Sequence, residues 1–253
     1  MSRGRHFVTT GEVAELLGVP GNEVPPIAAR WRAKHHAFAP TRGAYVPIPP
    51  EFRSWGVVPA SHFIDPLMRF LGHRYYVAYL SAAEVHGAAH QRPQVFQVVT
   101  SGRLRDRAFG RVRIEFTTSA DTAGRPVVER NTPTGTMRVS TPEVTVLDLV
   151  AAPSRGGGLS NVATVIGELL EDDKLDLDEL AREAGQYPIA VRQRTGWMIS
   201  FVAGLLDLSV DLSALSATVA GAERALLLPS GTRTGSAVAP WSVVVNTDVE
   251  PDL

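Results

Sequence analysis

The sequence contains no cysteine. That absence removes disulfides, thiolate nucleophiles and cysteine zinc sites together, and it makes a reducing compartment the simplest setting, so a cytoplasmic location is expected. No apolar run approaches the roughly 20 residues that span a bilayer. The opening MSRGRHFVTT carries charge with no apolar stretch behind it, so neither membrane insertion nor a secretory leader is expected. Internal repeats and low-complexity tracts are absent too. Of the 253 residues, 44% are hydrophobic and 20% charged, which excludes the composition of a disordered chain and predicts one large domain or two unequal ones.

What is present is an uneven distribution of charge. Behind the net charge of -1, residues 1–58 hold seven Lys/Arg against four Asp/Glu, residues 59–140 eleven against six, and residues 141–253 seven against sixteen. A basic front and an acidic remainder point to a polyanion on one side and a different partner on the other.

Local signals give the front a shape. Thr9 and Glu12 have capping-box spacing, and GEVAELL behind them places Val13, Leu16 and Leu17 on one helical face that Gly18 closes. Pro25 and Pro26 fit only a helix's first turn, so a second helix is predicted from about Pro25 to His36. In FAPTRGAYVPIPP, Arg42 and Gly43 form a turn between a short extended piece and AYV. Two helices followed by a hairpin predict a winged helix-turn-helix over residues 1–58. PIPPEFRSWGVVP, residues 47–59, lacks helical periodicity and reads as a linker. The boundary then falls near Val58, a larger α+β domain fills 59–253, and the fold class is mixed α/β (α+β).

Spacing on the second helix suggests what it touches. At about 100° per residue, Ile27, Ala28 and Trp31 share a buried side, while Ala29, Ala33 and His36 point away from it. Arg30 and Lys34 flank that outward face on one edge and Arg32 on the other. A helix in a major groove wants this layout, small residues at the base edges and cations reaching phosphates. Alanine reads no donor or acceptor, so phosphate contacts and DNA shape are expected to supply much of the affinity. Arg42, beside Gly43 at the wing tip, is the natural phosphate or minor-groove probe. The competing reading is a small packing module with solvated charges. Farther along, RLRDRAFGRVR sets Arg103, Arg105, Arg107, Arg111 and Arg113 against one acid, Asp106. Alone such a run is a solvated face; behind a DNA-binding module it becomes a candidate second surface for nucleic acid or an acidic partner.

Three clusters resemble catalytic machinery. Ser81, Glu84, His86 and His90 fall within ten positions, yet Ser81 and Glu84 suit a capping box, or the interior of a helix running from about Tyr75, and no G-x-S-x-G surrounds Ser81. His86 and His90 have metal-ligand spacing, but Gly87 between them ends the helix, so His86 is expected to bond a carbonyl there. Gly235, Ser236, Asp248 and Glu250 resemble the Gly-Ser turn and acidic pair of nucleotidyltransferases. With Leu253 as the last residue, the rest of such a core is not expected to follow. Gly156, Gly157 and Gly158 lack the Lys-Ser/Thr of a phosphate loop and read as a flexible connection. No catalytic residue, metal or cofactor is expected. Strands are predicted at 94–100 and 111–117 and in the terminal WSVVVNT, and helices after the N-cap Thr141 and over 159–170, 176–184 and 188–203.

In order, RGAYVPIP, YYVAYLSAAEVHG, VSTPEVTVLDLV, RQRTGWMI and WSVVVNTDVE resemble the AbiEi-type antitoxins of type IV toxin-antitoxin systems, over nearly the whole chain. The resemblance implies a non-enzymatic antitoxin whose N-terminal winged helix binds double-stranded operator DNA to repress its own operon. Its C-terminal domain would counteract an AbiEii-type nucleotidyltransferase toxin encoded alongside. Action in this class is described without a required stable complex, so direct contact with the toxin is left open. Family members end on a similar W-x-x-x-x-N strand, which accounts for the acidic end after Trp241. They also open with a further helix before the Thr9 element, whereas about eight residues precede it here. A shortened start, or a first module that leans on the second domain, is expected. The alternative is an ordinary winged-helix regulator whose C-terminal domain senses a ligand or partner.

Overall fold

The structure, a computed structural model, describes residues 6–89 and 93–253. Mixed α/β in class, it comprises two compact units, Met1–Val77 with Gln94–Val139 and Ala78–Pro93 with Ser140–Leu253.

The first unit opens with β1 (Val8–Thr9), α1 (Thr10–Leu17), α2 (Val24–Ala33), β2 (Ala37–Thr41) and β3 (Ala44–Pro47). The capping box forms. The Thr9 hydroxyl accepts from the Glu12 N–H at 3.3 Å, and Glu12 Oε2 accepts from the Thr9 N–H at 2.8 Å. Gly18, at φ 64°, ends α1 in the left-handed region that favours glycine. β1 and β2 both pair antiparallel with β3, and Val8, Val13, Val24, Ala28 and Tyr45 form the core beneath. Only Val13 of the predicted α1 face is buried; Leu16 and Leu17 are 61% and 46% exposed. With Trp31 and Tyr45 they line an apolar groove of about 340 Å³.

Residues 47–59 are not a free linker. Ile48, Val57 and Val58 are buried, and tight turns form at Pro50–Phe52 and Ala60–His62. The prolines that suggested an extended connection instead preset φ for these turns. Phe38 of β2 packs against Phe63 and Phe109, with ring centroids 5.1 and 5.4 Å away. That aromatic cluster ties the hairpin to the remainder of its unit.

The rest of this unit is α3 (Ile64–Leu71), β4 (Tyr75–Val77), β5 (Phe96–Thr100), β6 (Arg107–Phe109), β7 (Val112–Thr118), β8 (Val127–Thr132) and β9 (Gly135–Ser140). The six strands form one mixed sheet in the order β6-β7-β5-β4-β9-β8. β5 is buried from Gln97 to Thr100 on both faces, as a central strand should be. β7 alternates as its sequence predicts, Ile114 and Phe116 inward and Arg113 outward. Tyr75–Val77 departs from expectation, being strand and not helix. A three-residue apolar run carries no period; pairing of Tyr76 with Val99 and Val77 with Val139 decides its conformation.

The second unit is mostly helical: α4 (Tyr79–His86), α5 (Pro142–Ala151), α6 (Leu159–Glu171), α7 (Leu177–Ala184), α8 (Ile189–Leu205) and α9 (Ser213–Ala217), with β10 (Ala225–Leu226), β11 (Ala237–Val238) and β12 (Val243–Val244). The Thr141 hydroxyl caps α5, and every residue from Glu143 to Val150 is buried, which makes α5 the central helix. Its polar groups are matched, as burial requires. Glu143 Oε1 accepts from the Asp176 N–H at 3.0 Å, and Asp148 Oδ1 from the Tyr187 hydroxyl at 2.8 Å. The triple glycine is a packed turn and not a flexible connection, since a Cβ on Gly156 would lie 2.6 Å from Val162 and 2.9 Å from Leu149. Trp241 lies against α8 at Gly196 and donates to Ser200 Oγ at 3.0 Å. The predicted final strand shortens to β12, and the backbone beyond it is held on α6 by Glu250 N–H to Ser160 Oγ, 3.0 Å, and Asp252 N–H to Thr164 Oγ1, 2.9 Å. No helix among the described residues is long and apolar enough to cross a membrane.

Candidate nucleic-acid interface

Helix α2 presents two opposite sides. Val24 and Ala28 are buried and Ile27 and Trp31 half-buried, while Ala29, Arg30, Arg32 and Ala33 are exposed. Pro25 and Pro26 occupy the first turn, where their missing N–H groups cost nothing. Arg30 and Arg32 stand in the last turn, where cations complement the helix dipole.

The helix stops three residues short of its predicted end. His35 adopts φ 51°, and the His36 N–H turns back to the Trp31 carbonyl at 2.9 Å, closing the helix in the manner usually left to glycine. His35 holds this conformation through its ring, whose Nδ1 donates to the Arg53 carbonyl at 2.9 Å. Lys34 and His36 therefore sit past the helix and not on its outward face, though both are exposed. Arg42 is exposed in the following hairpin turn, where Gly43 adopts φ 83° and accepts the Thr10 N–H at 2.9 Å. Among the described residues, Arg30, Arg32, Lys34 and Arg42 have no side-chain hydrogen bond or ion pair.

The second arginine run divides. Arg107 is half-buried and donates to the Pro40 carbonyl of the hairpin, and burial lowers its pKa from the usual arginine value. The Arg111 guanidinium lies 4.4 Å over the Trp55 ring, a cation–π arrangement. Asp106 is bound by the Phe116 N–H at 2.9 Å. Only Arg103, Arg105 and Arg113 are left as exposed cations without such a role.

The catalytic look-alikes resolve into structural parts. Helix α4 begins at Tyr79 with Ala78 before it, so neither a start near Tyr75 nor a Ser81–Glu84 capping box forms. Ser81 is 2% exposed. His86 is the last residue of α4, and its Nε2 donates to the Ser140 carbonyl at 2.7 Å. Gly87, at φ 75°, ends the helix, and His90 lies outside the described residues. Gly235, Ser236, Asp248 and Glu250 are all exposed on the surface. Among the described residues no group of three or more His, Asp or Glu could hold a metal ion.

Comparison with known proteins defines the class. The family model described as the AbiEi antitoxin C-terminal domain matches residues 76–201, so this segment is an antitoxin domain. The chain belongs to the AbiEi-type antitoxin family, which is a family of antitoxins and not of enzymes. No curated protein matches it significantly. Among solved structures it is similar to the crystal structure of the RV2827C protein from Mycobacterium tuberculosis. The two share 15% identity at a TM-score of 0.64, over 94% of this chain and 85% of that one, which establishes likeness of fold alone. The matched segment contributes residues to both compact units.

Proposed function

We propose that residues 1–58 form a winged helix-turn-helix that binds operator DNA and represses the protein's own operon. Residues 59–253 counteract an AbiEii-type nucleotidyltransferase toxin in the same cytoplasm, within a type IV toxin-antitoxin system. One observation carries the DNA arm: Arg30, Arg32, Lys34 and Arg42 are exposed, and unpaired among the described residues, around a helix whose opposite side is its core. Ala29 and Ala33 are small enough to let α2 approach base edges, and unpaired cations reach phosphates without first giving up a carboxylate. His36, at the end of the α2 turn, and Gly43, in the wing, complete the surface. Arg103, Arg105 and Arg113 supply further phosphate contacts, without Arg107 and Arg111, which the fold already uses. Family membership supports the toxin arm.

Two measurements test it. Full-length protein should retard DNA from upstream of its own gene in a gel shift, and the R30Q/R32Q double variant should retard it less. Co-expression should relieve the toxicity of the neighbouring gene product, an outcome readable with or without a stable complex. A neighbour that is harmless when expressed alone would shift the assignment to an ordinary transcriptional regulator.

A further inference from the structure

We propose that the first unit carries a separate cleft that binds phosphate groups of a nucleotide-sized ligand, away from α2. The cleft measures about 590 Å³ and lies where the C-terminal end of α3 meets the start of β4 and strands β8 and β9. Pockets of about 300–1,000 Å³ suit small ligands and cofactors. Its wall holds Asp65, Arg69, His73, Arg74, Tyr75 and Arg138.

Charge distribution within the cleft selects an anion. Asp65 is 9% exposed and fully engaged, since Arg69 Nη2 lies 2.9 Å from its Oδ2 and the Tyr75 hydroxyl donates to its Oδ1 at 3.1 Å. Tyr75 in turn accepts the Arg138 backbone N–H at 3.2 Å, so this inner cluster is satisfied and close to neutral. The guanidiniums of Arg74 and Arg138 remain, and among the described residues neither has a side-chain hydrogen bond or ion pair. Glu129, the other acid on the wall, is exposed and makes no ion pair with them.

Two guanidiniums unpaired among the described residues and lining one cleft present forks that match the oxygens of a phosphate. The nearby end of α3 would oppose an anion through its dipole, but its last carbonyls are covered. The Gly72 N–H donates to the Arg69 carbonyl at 3.1 Å and the His73 N–H to the Met68 carbonyl at 3.1 Å, which satisfies the groups that would repel the ligand. Asp65 acts from beneath, holding Arg69 and Tyr75 in place.

The test is calorimetric titration of the full chain with pyrophosphate and, separately, with ATP. Both should bind, and the R74Q/R138Q variant should bind each at least about tenfold more weakly, as loss of charge-assisted hydrogen bonds implies. Both side chains lie on the cleft wall outside the buried core, so the variant should fold, which circular dichroism checks. Equal affinity for the two probes means that the site reads phosphate alone; tighter ATP binding means that it also holds the nucleoside. A control variant, R224Q, at an exposed arginine outside both proposed surfaces, should leave both affinities unchanged. Absence of binding by either probe, or equal binding by wild type and R74Q/R138Q, overturns the proposal, whatever the outcome of the operator experiments.

Discussion

The Nδ1 of His35 lies 2.9 Å from the carbonyl oxygen of Arg53, and this hydrogen bond ends α2. A non-glycine residue at φ 51° costs on the order of 1–2 kcal/mol, and the hydrogen bond returns about 1 kcal/mol. His35→Ala keeps the strained backbone and loses the bond, so it should lower stability by about 1 kcal/mol. His35→Gly loses the same bond but relieves the backbone, and should fall within roughly 0.5 kcal/mol of wild type. Chemical denaturation of both variants compares them directly. Equal destabilisation would mean that backbone strain at this turn has no energetic weight.

That relationship marks where sequence reasoning reaches its limit. The capping box at Thr9, the stop at Gly18, the alternation of β7 and the helices from Thr141 onward were legible, because each depends on residues within a turn of one another. The end of α2 depends on Arg53, eighteen positions away, and no local signal announces it. The strand at Tyr75–Val77 was hidden for the same reason, its partners being Thr100, Val99 and Val98. Among the candidate site residues, exposure of the α2 face was readable from periodicity. Capture of Arg107 by Pro40, 67 positions away, was not.

Arg107 gives a direct contrast with its neighbours. It is half-buried and its guanidinium donates to a carbonyl of the hairpin, so truncation leaves that acceptor without its charged donor. Arg107→Ala should cost about 1.5–3 kcal/mol. Arg103 and Arg105 make no such bond, and Arg103→Ala and Arg105→Ala should stay within about 0.5 kcal/mol of wild type. Thermal melts of the three variants decide it, and three equal melts would return the whole run to the status of a solvated surface.

His62 makes stability depend on pH. Burial, and secondarily the nearby His6, lower its pKa below the ordinary 6.5, with Glu51 opposing. In the folded chain the ring therefore stays neutral at pH values where the unfolded chain already binds a proton. The contribution is fully present above pH 6.5 and declines as pH falls from there to the folded-state value. His62→Asn should flatten the melting temperature across that interval. A slope that persists in His62→Asn would assign the dependence to another group.

If α2 binds operator DNA as proposed, the salt dependence of that binding will separate positioning contacts from base readout on its surface. Removing a single phosphate interaction should reduce the slope of log K against log salt by about 0.9, so Lys34→Gln and Arg42→Gln should each weaken binding and flatten the slope by roughly that amount. Ala29→Ser leaves the charge unchanged; it should keep the slope and alter the preference among operator sequences, because a hydroxyl can read donors and acceptors that a methyl cannot. Ala33→Glu places a carboxylate on the exposed side of α2, between Arg30 and Arg32, and should abolish binding by repulsion from the phosphates. The off-helix position of Lys34, fixed by the turn at His35, makes its result the most discriminating. If Lys34→Gln and Arg42→Gln both leave affinity and slope unchanged, α2 and the hairpin do not face DNA, and the exposed cations are only solvated charge.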